Sequence, residues 1–210
     1  EQVDNTPAQV LSFAEDLQGQ LWMGGPDGLF RWDETISAAV KVELLSPEAI
    51  SPAVNVLVAD RDGSLWVGTD TTGLVHFKGD VLSRILPQSS IQLVFQDRLG
   101  VIWYAGKIGK LKRLDQGKPE KDSPPWFGIG VSCIADDREG SLWLGANGSP
   151  HCLRQLKPAS AVSFDHIAAC VISASDGGVW LGSNAGLSHV AARSGPETLT
   201  VDRYYKLIRS

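Results

Sequence analysis

Residues Asp60-Arg61-Asp62-Gly63-Ser64-Leu65-Trp66-Val67-Gly68-Thr69 decide the fold, because the chain repeats this phrase with small changes four more times. The other copies begin at Asp16, Asp97 and Asp137 and, in a shortened form that has Ala174 where the leading aspartate is expected, at Ser175. Each has a glycine three residues before a tryptophan and an apolar residue immediately before it. The tryptophans are Trp22, Trp66, Trp103, Trp143 and Trp180, separated by 44, 37, 40 and 37 residues. A recurrence of that length through a whole chain is the mark of a repeat architecture.

Working outward from the phrase, a short apolar segment precedes each copy, as in Val54 to Ala59, Ile91 to Phe95 and Val131 to Ala135. Runs of this length rich in Val, Ile and Leu read as strands. The Asp-x-x-Gly that follows is a turn signal: the carboxylate caps the turn and glycine supplies a positive φ. The Trp-containing segment is a second strand. A second turn follows, at Pro26–Gly28, Asp70–Gly73, Lys107–Gly109, Asn147–Pro150 or Asn184–Gly186, and then a third strand. A looser fourth strand is visible in most copies, as in Ala39–Leu45, Val81–Leu86 and Thr198–Tyr205.

Four short antiparallel strands per unit of about 40 residues make a propeller blade. The expected fold is therefore an all-β β-propeller of about five four-stranded antiparallel blades in one domain, residues 1–210. The approximate blades are 8–46, 47–88, 89–124, 125–160 and 161–210. One blade cannot bury both its faces, so it stacks on a neighbour, and the repeated Trp is placed at that junction. An open row leaves an apolar face at each end. Either the five blades close as a ring or they are part of a larger propeller.

The composition is that of a core-forming protein, 43% hydrophobic and 20% charged. A net charge of −5 argues against nucleic acid as a partner. No apolar run reaches the ~18–20 residues needed to cross a bilayer. The three cysteines have no metal-ligand spacing. Cys133 and Cys170 occupy equivalent places ten residues before their tryptophans and read as small buried strand residues; a disulfide between them is not expected.

The phrase D-x-x-G-x-[LI]-W-[VL]-G-[TS], followed by a Gly-Leu turn, resembles the two-component regulator propeller repeat, with Asp60 to Leu74 its best copy. The resemblance implies a periplasmic or otherwise extracytoplasmic sensing module of a bacterial two-component-type sensor, usually continued by a membrane span and an output domain. The third copy departs from the pattern at Tyr104 and Ala105, the fourth after its tryptophan, and the fifth at Ala174. Other propellers with repeated D-G-x-x-W phrases, the streptogramin-inactivating lyases, imply a different role, one that needs a metal and a His/Glu pair.

The same residues also admit chemical readings. The aspartates could form a carboxylate ring for a metal, but each sits where an Asx turn explains it. His76 and His189 share a position with Arg31 and Lys112, which suggests a solvated or edge face. No nucleophile–base pair, zinc motif or phosphate loop is present. The chain is thus expected to be non-enzymatic, with no catalytic residue, no metal and no cofactor. Ligand candidates lie where the repeat falters, on loops at one end of the blades. They are Trp126 and Phe127 in the Ser123–Gly130 loop, Asp70, Thr71 and Thr72, Asn147, His151, His166 and Asn184. Rigidly flanked aromatics suit stacking on a sugar or a protein contact. The expected function is ligand or signal sensing, with carbohydrate as first guess. The alternatives are a protein-interaction scaffold without small ligand and a propeller lyase. The expected partners are a small ligand or a protein, a homodimer, or a membrane or output domain outside this chain.

Overall fold

Among the described residues every strand pairs only with its neighbours in sequence, and all but one of the connections within the sheets are two to five residues long. The computed structural model describes residues 7–44, 52–79, 81–86, 89–106, 111–115, 117–120, 130–146, 149–154, 157–161, 168–184, 186–191 and 203–206. These form five four-stranded antiparallel sheets. The first is β1 (Ser12–Glu15), β2 (Leu21–Gly25), β3 (Gly28–Asp33) and β4 (Ala38–Val42). The second is β5 (Val54–Ala59), β6 (Leu65–Thr69), β7 (Leu74–Lys78) and β8 (Val81–Leu86). The third is β9 (Ile91–Gln96), β10 (Ile102–Gly106), β11 (Lys112–Asp115) and β12 (Lys118–Pro119). The fourth is β13 (Val131–Asp136), β14 (Leu142–Ala146), β15 (Ser149–Arg154) and β16 (Lys157–Ala161). The fifth is β17 (Ala168–Ser173), β18 (Val179–Ser183), β19 (Gly186–Val190) and β20 (Arg203–Lys206). The fold is all-β with blade-like sheets, as the repeat predicts.

The chain divides into two compact units, Glu1–Gln96 with Ile102–Lys107 and Lys112–Ser123, and Asp97–Val101 with Ile108–Leu111 and Pro124–Ser210. In the first unit, Trp22 and Leu29 of sheet 1 are buried with Val54, Leu57 and Val67 of sheet 2. Trp66 and Leu74 of sheet 2 are buried in turn with Ile91, Val94 and Ile102 of sheet 3. In the second unit, Trp143 and Cys152 of sheet 4 meet Val171, Val179 and Leu181 of sheet 5. The phrase tryptophan therefore faces the following sheet at all three junctions. The glycine two residues later is what lets that sheet approach. A Cβ on Gly24 would lie 2.4 Å from Val54 Cγ1, and one on Gly68 would lie 2.8 Å from Ile91 Cγ2.

Three local expectations are corrected. The fourth hairpin is tighter than Asn147–Pro150: Ala146 pairs with Ser149, so Ser149 and Pro150 belong to β15 and only two residues intervene, the preferred Asn-Gly hairpin length. Cys133 and Cys170 do stand in equivalent places, opposite Gly145 and Gly182. Cys133 is half-buried but Cys170 is exposed, because no described sheet follows the fifth. His189 is not solvated; it is 1% exposed, and His76 is half-buried against Trp66.

Candidate functional site

The D-x-x-G turns use up the most suggestive residues of the sequence. In each copy that has the aspartate, its amide donates to the residue four ahead and its carbonyl accepts from the glycine amide three ahead. Oδ1 of Asp16 accepts from the amides of Gln18 and Gln20, both at 3.0 Å, and Oδ1 of Asp97 accepts from Leu99 and Val101, both at 2.9 Å. The second carboxylate oxygen reaches the tryptophan six residues on. Indole Nε1 of Trp22, Trp66 and Trp143 donates to Oδ2 of Asp16, Asp60 and Asp137 at 2.8, 2.7 and 2.9 Å. One carboxylate thus caps the turn and fixes the ring. Turn capping was legible from the Asx pattern. The indole bond was not drawn from the sequence, although the constant six-residue spacing carries that signal.

A second constellation sits on the same face of sheet 2. His76 stacks on Trp66 with ring centroids 4.1 Å apart, and its Nε2 lies 2.7 Å from Ser64 Oγ. Ser64 Oγ donates to Asp62 Oδ1 at 2.5 Å, and Lys78 Nζ donates to Asp62 Oδ2 at 2.7 Å. The Lys78 ammonium and the Ser64 hydroxyl hold the Asp62 carboxyl well below the usual carboxylate range. Burial lowers the pKa of His76, against the opposing pull of Asp62 and Asp60. Ligand atoms of Asp60, Asp62 and His76 lie within 4.8 Å of one another, a donor set that suits a cation. The protein's own indole, hydroxyl and ammonium donors already engage those oxygens.

The loop end of the sheets is built differently. In the first unit the second turns lie against the segments leading into the first strands. The Ala8 amide donates to Asp27 Oδ2 and the Asp70 amide to the Ala53 carbonyl, both at 3.0 Å. The Asp70–Gly73 turn is held from below by Thr69, fully buried, whose Oγ1 donates to the Gly73 carbonyl at 2.9 Å and accepts from the Thr72 amide at 3.0 Å. Asp70 and Thr71 are exposed above it and Thr72 is half-buried. In the second unit Ser183 repeats this cap, donating to the Gly186 carbonyl at 3.1 Å beneath an exposed Asn184. Thr69 and Ser183 were missed as positioning residues, though the Thr/Ser closing the repeat phrase marks them. His151 is half-buried on β15, paired with Leu144 and Ala161. Trp126, Phe127, Asn147 and His166 lie outside the described residues. The structure therefore brings Asp70, Thr71 and Thr72 together on one turn and places His151 and Asn184 separately in the second unit.

Residues 50–71 match the two component regulator propeller family. No curated protein matches the chain in sequence. Among solved structures the fold is shared with virginiamycin B lyase from Staphylococcus aureus, at TM-score 0.71 and 15% identity over 89% of this chain and 68% of the lyase. It is shared also with the extracellular domain of a hybrid two component system from B. thetaiotaomicron, at TM-score 0.73 and 17% identity over 90% of this chain and 28% of that one. YCF48 bound to D1 peptide aligns at TM-score 0.64 and 13% identity over 96% of this chain and 68% of that one. The chain is a propeller-fold domain related to two-component regulator propellers. It spans just over two thirds of the lyase and little more than a quarter of the sensor domain.

These likenesses correct one expectation. A firm assignment as non-enzymatic does not stand, because an enzyme, virginiamycin B lyase, has this fold. The physical reason is that propeller strands and turns build only the scaffold. Catalytic groups of such a fold come from loops of different blades and leave no contiguous motif to find.

Proposed function

We propose that this chain is a ligand-recognition module of an extracytoplasmic receptor of two-component type, taking its ligand at the loop end of its sheets. The match of residues 50–71 to the two component regulator propeller family carries this reading, and the fold shared with an extracellular sensor domain supports it. The Asp70–Gly73 turn is suited to recognition. Its exposed carboxylate and hydroxyl ride on a fully buried Thr69 cap, so they are presented without a large ordering cost. Polar side chains presented on a rigid turn fit a carbohydrate. A panel of oligosaccharides in a thermal-shift assay tests this. A ligand at about 100 times its Kd stabilises the folded state by about 2.7 kcal/mol, a rise of several degrees. Asp70→Ala with Thr71→Ala should abolish the rise while leaving the unliganded melting temperature in place. A rise that survives both substitutions places the ligand elsewhere.

A second reading is favoured by the fold shared with virginiamycin B lyase, whose catalytically inactive histidine variant was solved with quinupristin. In that reading the chain is a lyase acting on a streptogramin-type substrate, and His151 is the candidate histidine. Incubation with quinupristin and a divalent cation, followed by mass spectrometry, decides it. Linearised product that disappears in His151→Ala supports the lyase, and unchanged quinupristin sinks it.

A further inference from the structure

We infer that the groove between the first and second sheets binds a small organic acid, a carboxylate carried on a flat apolar body, with Arg31 holding the carboxylate. The site is separate from the Asp70 turn and independent of what binds there. On each third strand one residue stands opposite the phrase tryptophan: Arg31, His76, Arg113, Cys152 and His189. Three of the four basic ones have a partner within their own sheet. His76 meets the Ser64 hydroxyl at 2.7 Å, and His189 meets the Asp176 carboxylate at 3.1 Å. Arg113 is held by a two-pronged contact, its Nε and Nη2 donating to the two oxygens of Glu120 at 2.6 and 2.7 Å.

Arg31 is the exception. Among the described residues no side chain accepts a hydrogen bond from its guanidinium. Asp33 feels its charge, but Asp33 Oδ1 already accepts from the Thr35 amide and hydroxyl at 2.9 and 2.5 Å. The sequence accounts for the difference. Glu120, whose amide donates to the Arg113 carbonyl, stands opposite Arg113 on the fourth strand of sheet 3; in sheet 1 the residue opposite Arg31 is Val40. The turn position that gives Asp62 and Asp176 to the histidine sheets gives Gln18 here. A guanidinium fork matched to a carboxylate is therefore presented without one.

Space lies where the acid is missing. A cavity of about 430 Å³ is lined by Arg31 and Val40 together with Trp22, Val42 and Phe77. A second, of about 310 Å³, adjoins it at Trp22 and Phe77. Each is of the size that small-molecule sites have, about 300–1,000 Å³. The walls are aromatic and aliphatic. Trp22 and Phe77 meet edge to face with ring centroids 5.4 Å apart, and Val40 and Val42 stand on the Trp22 side of β4. The other charges along the groove are satisfied or offset. Asp16 is taken by its turn amides and the Trp22 indole, and Asp62 by Lys78 at 2.7 Å. Lys41 and Glu43 oppose one another in sign, and Lys41 pairs with Phe30, on the side of the sheet away from Trp22. Arg31 thus selects the charge of the ligand and the walls select its body. An acid with a flat apolar body uses both, whereas an inorganic anion uses only the first.

Isothermal titration of residues 1–210 with 3-phenylpropionate, and with 3-phenylpropionamide as its uncharged counterpart, tests this. The expected result is saturable binding of the acid, with the amide at least about tenfold weaker. Arg31→Gln should weaken the acid at least about tenfold and bring acid and amide level, and Arg31→Lys should recover part of the loss. Arg31 is exposed, so both variants should melt within about 2 °C of the parent. Val40→Glu places a carboxylate opposite Arg31, as Glu120 stands opposite Arg113, and should weaken the acid at least about tenfold by occupying its place. Lys41→Gln, and Asp70→Ala with Thr71→Ala, should leave the affinity within about twofold, which separates this groove from the loop end. No saturable heat from the acid up to about 10 mM overturns the inference. So does equal binding of acid and amide by the parent, or acid binding that is unchanged in Arg31→Gln.

Discussion

The second and fifth sheets are built on one register and end in different states. Val58 pairs with Trp66 and Trp66 with His76; Ile172 pairs with Trp180 and Trp180 with His189. Both hairpins close through a glycine at positive φ, 83° at Gly63 and 96° at Gly177. In sheet 2 the indole is held by Asp60 and stacked flat on His76, with planes 21° apart. In sheet 5 Ala174 replaces that aspartate, and the rings of Trp180 and His189 are tilted by 52°. Gly178 stands at the Ser64 position, so His189 reaches Asp176 directly at 3.2 Å rather than through a hydroxyl. The hairpin survives loss of the aspartate: the Ala174 amide still donates to the Gly178 carbonyl at 2.8 Å. Glycine and strand pattern thus make the sheet. The aspartate orients the tryptophan, and a following sheet buries it.

The largest test of that division is to remove each tryptophan. Trp66→Ala empties a buried site between two sheets and leaves the Asp60 carboxylate without its indole donor, a loss of about 3–5 kcal/mol. Trp180→Ala removes a half-buried ring with no carboxylate partner of this kind and should cost less than half as much. Urea unfolding of the two variants checks this. Equal losses would break the comparison, because they would mean that burial by a following sheet contributes little.

Next come the glycines that admit the following sheet. Gly68→Ala drives a methyl to within 2.6 Å of half-buried Val56 and 2.8 Å of Ile91 in the core, and overpacking of that kind costs about 1–3 kcal/mol. Gly182→Ala meets Cys170 Sγ, an exposed side chain that can rotate away, and should cost under about 1 kcal/mol. The difference should appear in the urea midpoint with an unchanged slope.

Exchanging the aspartate tests the orienting role alone. Ala174→Asp supplies a turn cap and an indole acceptor to a hairpin whose backbone already has the right form. A gain of about 1 kcal/mol is expected, the net value of a hydrogen bond that replaces water contacts. Asp60→Ala should cost about 1–2 kcal/mol, because the Trp66 indole, the Asp62 amide and Gln96 Nε2 all lose an acceptor. Near-ultraviolet circular dichroism distinguishes a reoriented indole from general loosening. No gain from Ala174→Asp would show that the carboxylate serves only sheets whose tryptophan face is covered.

How much of this was legible in the sequence follows from the same contrast. Strand order, the turns and the junction tryptophans were readable, because the 37- to 44-residue spacing and the Asp-x-x-Gly phrase report backbone requirements that each repeat must meet on its own. The short fourth strands β12 and β16 leave little mark in the sequence, since two edge residues at Lys118–Pro119 or a run such as Lys157–Ala161 carry little apolar alternation. Burial of His189 is not legible from its register equivalents, which are Arg31 opposite Trp22 and, in place of the expected Lys112, Arg113 opposite Trp103: both are long enough to reach water, whereas an imidazole over Trp180 is not. The candidate site was legible only in part. Asp70 through Thr72 announce an exposed turn, but a recognition site assembled from several loops has no local pattern, and tertiary placement alone joins its members.

The smallest expected effect is a dependence on pH, and it isolates the Ser64 hydroxyl that stands between His76 and its carboxylate, where His189 has none. Asp62 is kept anionic by Lys78 and Ser64, so the Ser64 hydroxyl proton points at Asp62 and its oxygen accepts from His76 Nε2–H. The charged groups facing the ring are Asp60, Asp62 and Lys78, and burial outweighs the two carboxylates, lowering the histidine's pKa in the folded state. The unfolded chain therefore takes up the proton first. Stability contributed by neutral His76 is fully present above the unfolded value of about 6.5 and is lost as pH falls from there through the lower folded value. In His76→Phe the ring can still stack on Trp66 but cannot titrate. The urea midpoint of that variant should vary less between about pH 7 and 5 than that of the parent, by an amount that the half-exposed setting keeps under about 1 kcal/mol. An unchanged slope would mean that the hydroxyl bridge, not desolvation, sets the protonation of His76, and Ser64 would then join the aspartate as what distinguishes sheet 2 from sheet 5.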